Sequence, residues 1–450
     1  MPETISIGAA NQAGARTDTD AYARAADFLP LKGIDHVEFW VGNARQAAAY
    51  YRALWGFSPV AFSGLETKVR ERASYVMVQH GIRFVFTAPL TPDGDIAEHV
   101  RAHGDGVHDI AFEVDDVESA WRETTSRGAA SALAPTELDG GEDGVLRKAS
   151  IHTYGEVLHS FVNRSSYAGV FAPGYRKVKS PARAATGLSL LEVDHCVGNV
   201  GLGEMDQFVD FYRDVLGFAQ LIHYDDKVIH TEYSALMSKV MTNGNGRIKF
   251  PINEPATGKK KSQIQEYLDW YGSPGCQHIA MRTEDIVGTV RRLRDSGIEF
   301  LGLPHEYYAS LADRVGDVGV PIETLEELGI EADRDEEGYL LQIFTRPVQD
   351  RPTFFFETSS ATVRAASVSA ISRPCSRRSN ANRRSAGTCS AAAEARRRPS
   401  ARRRPSVLLP AFTGGSVPPL TGLDDQGRAC ERRQGEENSN GLSLEDVLHG

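Results

Sequence analysis

Gly33-Ile34-Asp35-His36-Val37-Glu38-Phe39-Trp40-Val41-Gly42-Asn43 runs into Ala49-Tyr50-Tyr51-Arg52-Ala53-Leu54-Trp55-Gly56-Phe57. Later, Val193-Asp194-His195-Cys196-Val197-Gly198-Asn199-Val200 runs into Phe208-Val209-Asp210-Phe211-Tyr212-Arg213-Asp214-Val215-Leu216-Gly217-Phe218. Each copy reads as an alternating strand followed by an amphipathic helix, closed by a glycine suited to a helix C-cap. His36 and His195 lie 159 residues apart. A second echo sets Val107-His108-Asp109-Ile110-Ala111-Phe112 against Cys276-Gln277-His278-Ile279-Ala280-Met281. There Asp109 and His278 are 169 apart, so loops have been inserted between the two echoes.

Working outward, each half repeats one order twice: strand, helix, then two or three strands. A helical pattern from Val117 to Arg127 and strands around Lys148–Thr153 and Val157–Val162 follow Asp109. A helical pattern from Ile286 to Ser296 and strands around Leu340–Thr345 and Thr353–Glu357 follow His278. Four βαβββ-like units in two domains give a mixed α+β fold, in which twisted small sheets curl into cups around a site. The boundaries expected are a flexible N-terminus over residues 1–28, a first unit pair without metal over 29–170, a linker over 171–190, a catalytic pair over 191–357 and a basic tail over 358–450.

The 450 residues carry a net charge of -10, unevenly placed. From Thr358 onward there are 15 Arg, no Lys and 8 acids, a balance of +7, so residues 1–357 carry -17. No apolar run approaches the roughly 20 residues of a spanning helix, and the start resembles no signal peptide, which points to a cytoplasmic protein without membrane contact. Five cysteines without CxxC spacing indicate neither a disulfide framework nor a zinc ribbon.

The halves differ in chemistry. A strand histidine alone is more often a satisfied core residue than a ligand. At repeat positions, however, the second half has His195, His278 and, after Phe354-Phe355-Phe356, the carboxylate of Glu357. The first half has His36, Asp109 and the strand Leu158-His159-Ser160-Phe161-Val162, with no terminal carboxylate. An unpaired carboxylate on an apolar strand is costly to bury, and a bound cation removes that cost. Two His and one carboxylate leave positions open on an octahedral metal, as suits non-haem Fe(II), whereas a structural zinc site would use four protein ligands. Cys196, next to His195, should point to the opposite strand face.

Further segments, in order, are Leu236-Met237-Ser238-Lys239-Val240, Pro251-Ile252-Asn253-Glu254-Pro255, Ser262-Gln263-Ile264-Gln265, Gln277-His278 and Leu341-Gln342-Ile343-Phe344-Thr345. Together with Val193-Asp194-His195 and Phe354–Glu357 they resemble the 4-hydroxyphenylpyruvate dioxygenase family of the vicinal oxygen chelate superfamily, from about Gly33 to Glu357. The resemblance implies iron ligands at His195, His278 and Glu357, which are also the catalytic positions. It implies substrate contacts at Ser238, Pro251, Asn253, Gln263, Gln342 and Phe344. The implied cofactor is Fe(II), and the implied partners are 4-hydroxyphenylpyruvate, O2 and further copies of the chain in a dimer or tetramer. The reaction would be oxidative decarboxylation with ring hydroxylation to homogentisate and CO2, in tyrosine catabolism. The competing reading within the family's kin is 4-hydroxymandelate synthase, whose branch departs from the pattern kept at Pro251 and Asn253. A non-redox metal isomerase or a ligand-binding resistance protein of the superfamily would instead be expected to carry ligands in both halves.

The tail departs from the family, whose ligand strand continues Ile-Gln-Arg-His-Gly-Ala-Arg-Gly-Phe-Gly into a helix over the iron pocket. Reading one base out of frame permits that segment: ACA for Thr358 with TCC for Ser359 contains ATC, isoleucine, and the rule continues through Ser367. A stop codon becomes permitted at Cys389 and Ser390. The expectation is a one-base loss near codon 358, a disordered product beyond it and weakened turnover. A genuine basic arm would instead give salt-dependent DNA retention, and no nucleic-acid partner is expected.

Overall fold

The structure is a computed structural model that describes residues 28–179, 188–224, 235–256, 261–334 and 338–361. The sequence readings of a flexible N-terminus and of a tail fall outside these residues, except for Phe28 and for residues 358–361.

In the first half the order is β1 (Gly33–Trp40), α1 (Ala44–Trp55), β2 (Ser58–Ser63), β3 (Arg72–Gln79), β4 (Ile82–Pro89), α2 (Asp95–His103), β5 (Gly106–Glu113), α3 (Val117–Ser126), β6 (Ser131–Asp139), β7 (Val145–His152), β8 (Leu158–Asn163) and β9 (Arg176–Lys177). The second half follows with β10 (Glu192–Asn199), α4 (Met205–Asp214), β11 (Ala219–Tyr224), β12 (Ala235–Thr242), β13 (Lys249–Ala256), α5 (Gln263–Tyr271), β14 (Gly275–Arg282) and α6 (Ile286–Asp295). It ends with α7 (His305–Ala309), α8 (Leu311–Val315), α9 (Ile322–Leu328), β15 (Glu331–Arg334), β16 (Tyr339–Phe344) and β17 (Phe355–Ala361).

Of the two glycines expected to close the first helices, Gly56 caps α1 directly, whereas α4 ends at Asp214, before Gly217. Asn43 caps α1 by accepting from the Gln46 N–H at 3.0 Å, and Gly56 closes it at φ 74°, a left-handed turn that only glycine adopts without cost. Asp116, Ser262 and Asp285 cap α3, α5 and α6 in the same way.

Two curled mixed sheets result, ordered β6-β7-β8-β5-β1-β4-β3-β2-β9 and β11-β12-β13-β10-β14-β17-β16-β15. In each, an antiparallel central pair is flanked by parallel strands: β1 and β5 by β4 and β8, β10 and β14 by β13 and β17. Alternation along the strands divides the two faces. Val37, Phe39, Cys196, Phe250, Ile252, Ile279, Ile343, Phe354 and Phe356 join one apolar core with the helices. His195, Asn199, Asn253, His278, Gln342 and Glu357 have the opposite parity. Among the described residues no helix is long and apolar enough to cross a membrane.

Two boundaries and one insertion differ from the sequence reading. The segment read as a linker contributes β9, which pairs with β2, and Phe171 in a buried cluster, so its first part belongs to the first sheet. Three short helices, α7 to α9, stand between α6 and β15. The last strand begins at Phe355 and runs on to Ala361, because main-chain pairing of Met281 with Thr358 and of Leu341 with Ser360 requires no particular side chain.

Candidate metal centre

His195, His278 and Glu357 come from three adjacent strands, β10, β14 and β17. His195 and Glu357 occupy one cross-strand row on either side of Ala280, whose register partners they are, and His278 lies one inward-facing position along β14. The two outer strands of that row are roughly 10 Å apart, twice the interstrand spacing. The long imidazole and carboxylate therefore lean over the small Ala280 side chain and converge. His195 Nε2 is 3.4 Å and His278 Nε2 3.5 Å from Glu357 Oε2.

Bulges supply the orientation. The register slips between Val193 and His195, so Asp194 is an extra residue that can turn toward its neighbour. Its Oδ2 lies 2.8 Å from His195 Nδ1, and Lys249 donates to its Oδ1 at 2.9 Å. A second slip leaves Gln277 bulged, with Oε1 3.3 Å from His278 Nδ1. Each ring thus has an acceptor beside Nδ1, which leaves the Nε2 lone pair for the centre.

All three residues are buried, and His195 Nε2, His278 Nε2 and both Glu357 oxygens have no hydrogen-bond partner. Burial opposes charge on His195, but the carboxylates of Glu357 and Asp194 outweigh it and hold its pKa up at about 9. Burial also opposes charge on Glu357, and the adjoining imidazoles turn the balance to a lowered pKa. Burial lowers His278. Buried polar atoms left unpartnered are costly, and their convergence on one point is relieved by a cation. Two imidazoles and one carboxylate fit a borderline divalent metal with positions left for substrate.

Comparisons with known proteins follow the same lines. A family model described as the glyoxalase/bleomycin resistance protein/dioxygenase superfamily matches residues 192–343, and a second model of that superfamily matches residues 35–145. A 4-hydroxyphenylpyruvate dioxygenase of Dictyostelium discoideum is 46% identical over 338 residues, covering 73% of this chain and 91% of that protein. Its counterpart in Danio rerio is 47% identical over 334 residues, covering 72% and 83%. The chain belongs to the 4-hydroxyphenylpyruvate dioxygenase family. Among solved structures, a mutant 4-hydroxymandelate synthase from Streptomyces coelicolor is similar with a TM-score of 0.68 at 28% identity, covering 79% of this chain and 100% of that one.

Of the substrate positions that the dioxygenase family resemblance implies, Ser238, Pro251, Asn253, Gln342 and Phe344 lie on strands of the second sheet and are buried. By strand parity they share the face of the three candidate ligands. Ser238 and Asn253 are direct cross-strand partners, as are Phe344 and Glu357. Neither amide atom of Gln342 has a hydrogen-bond partner. Gln263 sits apart from these strands, half-buried at the first position of α5. Sequence reading missed Asn199, which is four residues beyond His195 on the same strand face and has both amide atoms buried and unpartnered. Counting on by twos from His195 would have found it.

The first sheet of this dioxygenase-family chain keeps the frame and changes the charges. Asp35 is bulged like Asp194 and lies 2.6 Å from His36 Nδ1. His36, Glu38 and Asp109 gather there, but Lys148 Nζ stands 3.1 Å from Asp109 Oδ2, Ser160 donates to Asp109, and Thr87 donates to Glu38 at 2.5 Å. Ser160 holds the register position that Glu357 holds in the second sheet. The centre of the first sheet is thus supplied with its own cation.

Proposed function

We propose that the chain is an Fe(II)-dependent dioxygenase that converts 4-hydroxyphenylpyruvate and O2 to homogentisate and CO2. The observation that carries the reading is the convergence of three buried, unpartnered ligand groups of two histidines and one carboxylate, in a chain of this family. His195, His278 and Glu357 would hold the iron, which when bound supplies a chelation point for the 2-oxo acid and the redox chemistry with O2.

The rest falls to this chain's own residues. Asp194 and Gln277 keep the two rings turned toward the metal. Ser238, Asn253 and Gln342 offer hydrogen bonds to the phenol end, and Gln342 brings an amide with no internal partner. Phe344 and Phe355, whose rings are 6.1 Å apart near His278, form an aromatic wall that orients the substrate ring and excludes water. Pro251 would shape the floor beside Asn253, and Gln263, apart from these strands at the start of α5, would have to reach in to touch the substrate. The working protein is proposed to be a cytoplasmic dimer or tetramer.

The likeness to 4-hydroxymandelate synthase gives a second reading, in which the side-chain carbon is hydroxylated. Oxygen uptake with 4-hydroxyphenylpyruvate and Fe(II), followed by product chromatography, tests both. Homogentisate supports the proposal, hydroxymandelate supports the second reading, and no uptake by a frame-restored chain defeats both.

The basic segment from Thr358 onward is proposed to be the product of a one-base loss. An intact coding frame for this segment in close relatives, read by nucleotide sequencing, would sink that idea. Restoring the frame is expected to raise turnover more than metal affinity, through closure over the pocket.

A further inference from the structure

A second cluster of metal-ligating groups stands outside the proposed dioxygenase site. His99 and His103 lie four residues apart on α2, on one helix face, and both are buried. Glu156, from the turn between β7 and β8, meets both: Oε2 is 2.7 Å from His99 Nδ1, and Oε1 is 3.3 Å from His103 Nε2. The Glu156 side chain is half exposed, so the cluster is open to solvent on that side.

The proton inventory closes only with an added positive charge, a metal ion or a second proton on His103. His103 Nδ1 is 2.5 Å from the Tyr271 carbonyl, which can only accept, so Nδ1 carries the proton. In a neutral ring Nε2 is then a lone pair, facing a carboxylate oxygen that also only accepts. A proton on His99 Nδ1 satisfies Glu156 but leaves Nε2 bare, and Nε2 is buried with no hydrogen-bond partner. A proton on Nε2 leaves Nδ1 as a lone pair against the carboxylate.

We propose that His99 Nδ1, His103 Nε2 and the Glu156 carboxylate bind a divalent transition metal of the zinc class, with water as fourth ligand. Two imidazoles and a carboxylate select Zn(II), Co(II) or Ni(II) over Mg(II) or Ca(II). Tetrahedral bonds of about 2.0–2.2 Å hold ligand atoms about 3.3 Å apart. The His103 to Glu156 separation already has that value, and the half-exposed Glu156 is free to open the shorter one. The proton of His99 moves to Nε2, on a ring that stands edge-on to the Trp40 indole at 5.3 Å and 89°. The His103 Nδ1–H remains fixed by Tyr271, the outer hydrogen bond that metal-bound histidines usually make. Because Tyr271 ends α5, the metal would tie α2 and the β7–β8 turn to the second half of the molecule.

The test is Zn(II) titration of the full chain by calorimetry, with atomic absorption after dialysis, alongside Glu156→Gln, His99→Ala and Glu357→Gln. Wild type is expected to bind two equivalents, each single variant one, and the Glu156→Gln/Glu357→Gln pair none. With Co(II), the intense visible bands of a four-coordinate site should vanish in Glu156→Gln and survive in Glu357→Gln. If His99→Ala fails to fold, Glu156→Gln alone decides, since it alters a half-exposed turn residue. Equal Zn(II) stoichiometry and equal Co(II) spectra in wild type and Glu156→Gln would overturn the site and assign the gap to a proton on His103.

Discussion

Ala280 touches none of the chemistry, yet its size permits it. It is the cross-strand partner of both His195 and Glu357, and it is fully buried between them. A branched side chain there would occupy the space over which the ligands lean. Ala280→Leu is therefore expected to weaken metal binding at the proposed centre by about 100-fold or more while costing about 1–3 kcal/mol of stability from overpacking. Metal titration with a parallel thermal melt checks this, and unchanged affinity would refute the row geometry. In the first sheet the test is acid. Burial opposes the charge of Asp35, but Arg164 at 2.8 and 2.9 Å, with His36, holds its pKa well below the carboxylate range. A depressed folded pKa gives stability that is present above the unfolded value of about 4 and lost as pH falls below it. Asp35→Asn should thus cost about 3–5 kcal/mol at neutral pH, where it leaves the Arg164 charge partly buried and unpaired. That cost should shrink in urea melts as pH falls below about 4, and a gap that widens in acid would contradict the assignment. At this scale the three candidate ligands were legible because duplication let His195 be weighed against His36 and His278 against Asp109. Asn199, His99 and His103 were not. An amide on a strand reads as ordinary polarity until its burial is known, and Glu156 reaches α2 from a turn more than fifty residues along the chain.

Among the elements, β17 has two jobs. Phe355 and Glu357 face the centre, while Phe354 and Phe356 face the core. Phe356 lies 4.8 Å from the Trp55 ring and 5.9 Å from the Phe84 ring, both in the first half. Its N–H donates to Thr345 Oγ1 at 3.0 Å, which fixes the strand next to the ligand. Phe356→Ala is expected to cost about 3–5 kcal/mol and to weaken metal binding with it, because the backbone that aims Glu357 loses its anchor. Chemical denaturation and metal titration of one preparation check the coupling, and loss of stability with intact affinity would break it. The apolar run Phe354-Phe355-Phe356 ending in Glu357 announced this strand, and the repeat announced its neighbours. Where a segment had no counterpart or no period, as at β9 and at α7 to α9, pattern had nothing to report. Strand ends were also illegible, since Thr358 to Ala361 pair through main-chain groups.

Over the whole molecule, the halves exchange supports. Phe356 of the second half packs on Tyr51 and Trp55 of α1. His159 of the first half donates from Nδ1 to the Ile110 carbonyl and accepts at Nε2 from the Tyr212 hydroxyl of α4, at 2.8 Å. Each half's β17-type strand therefore leans on the other half's first helix, and one core runs through both. Calorimetry of the chain should give a single transition with equal calorimetric and van't Hoff enthalpies, and two resolved peaks would disprove this interlock. The duplication was plain in the sequence. That the copies are packed into each other was not, because such contacts join residues with no periodic relation.

Lys148 gives the pair of sheets unequal dependence on their surroundings. A cation carried on a side chain cannot be chelated, exchanged for a competing ion or lost to oxidation, and Lys148 is held charged against Asp109. The first sheet's interior is thus indifferent to metal supply, and under the proposed function only the second answers to it. If the centre holds a metal as proposed, a chain starved of it would persist as a folded but idle catalyst, ready to be switched on by the arrival of the ion rather than by fresh synthesis.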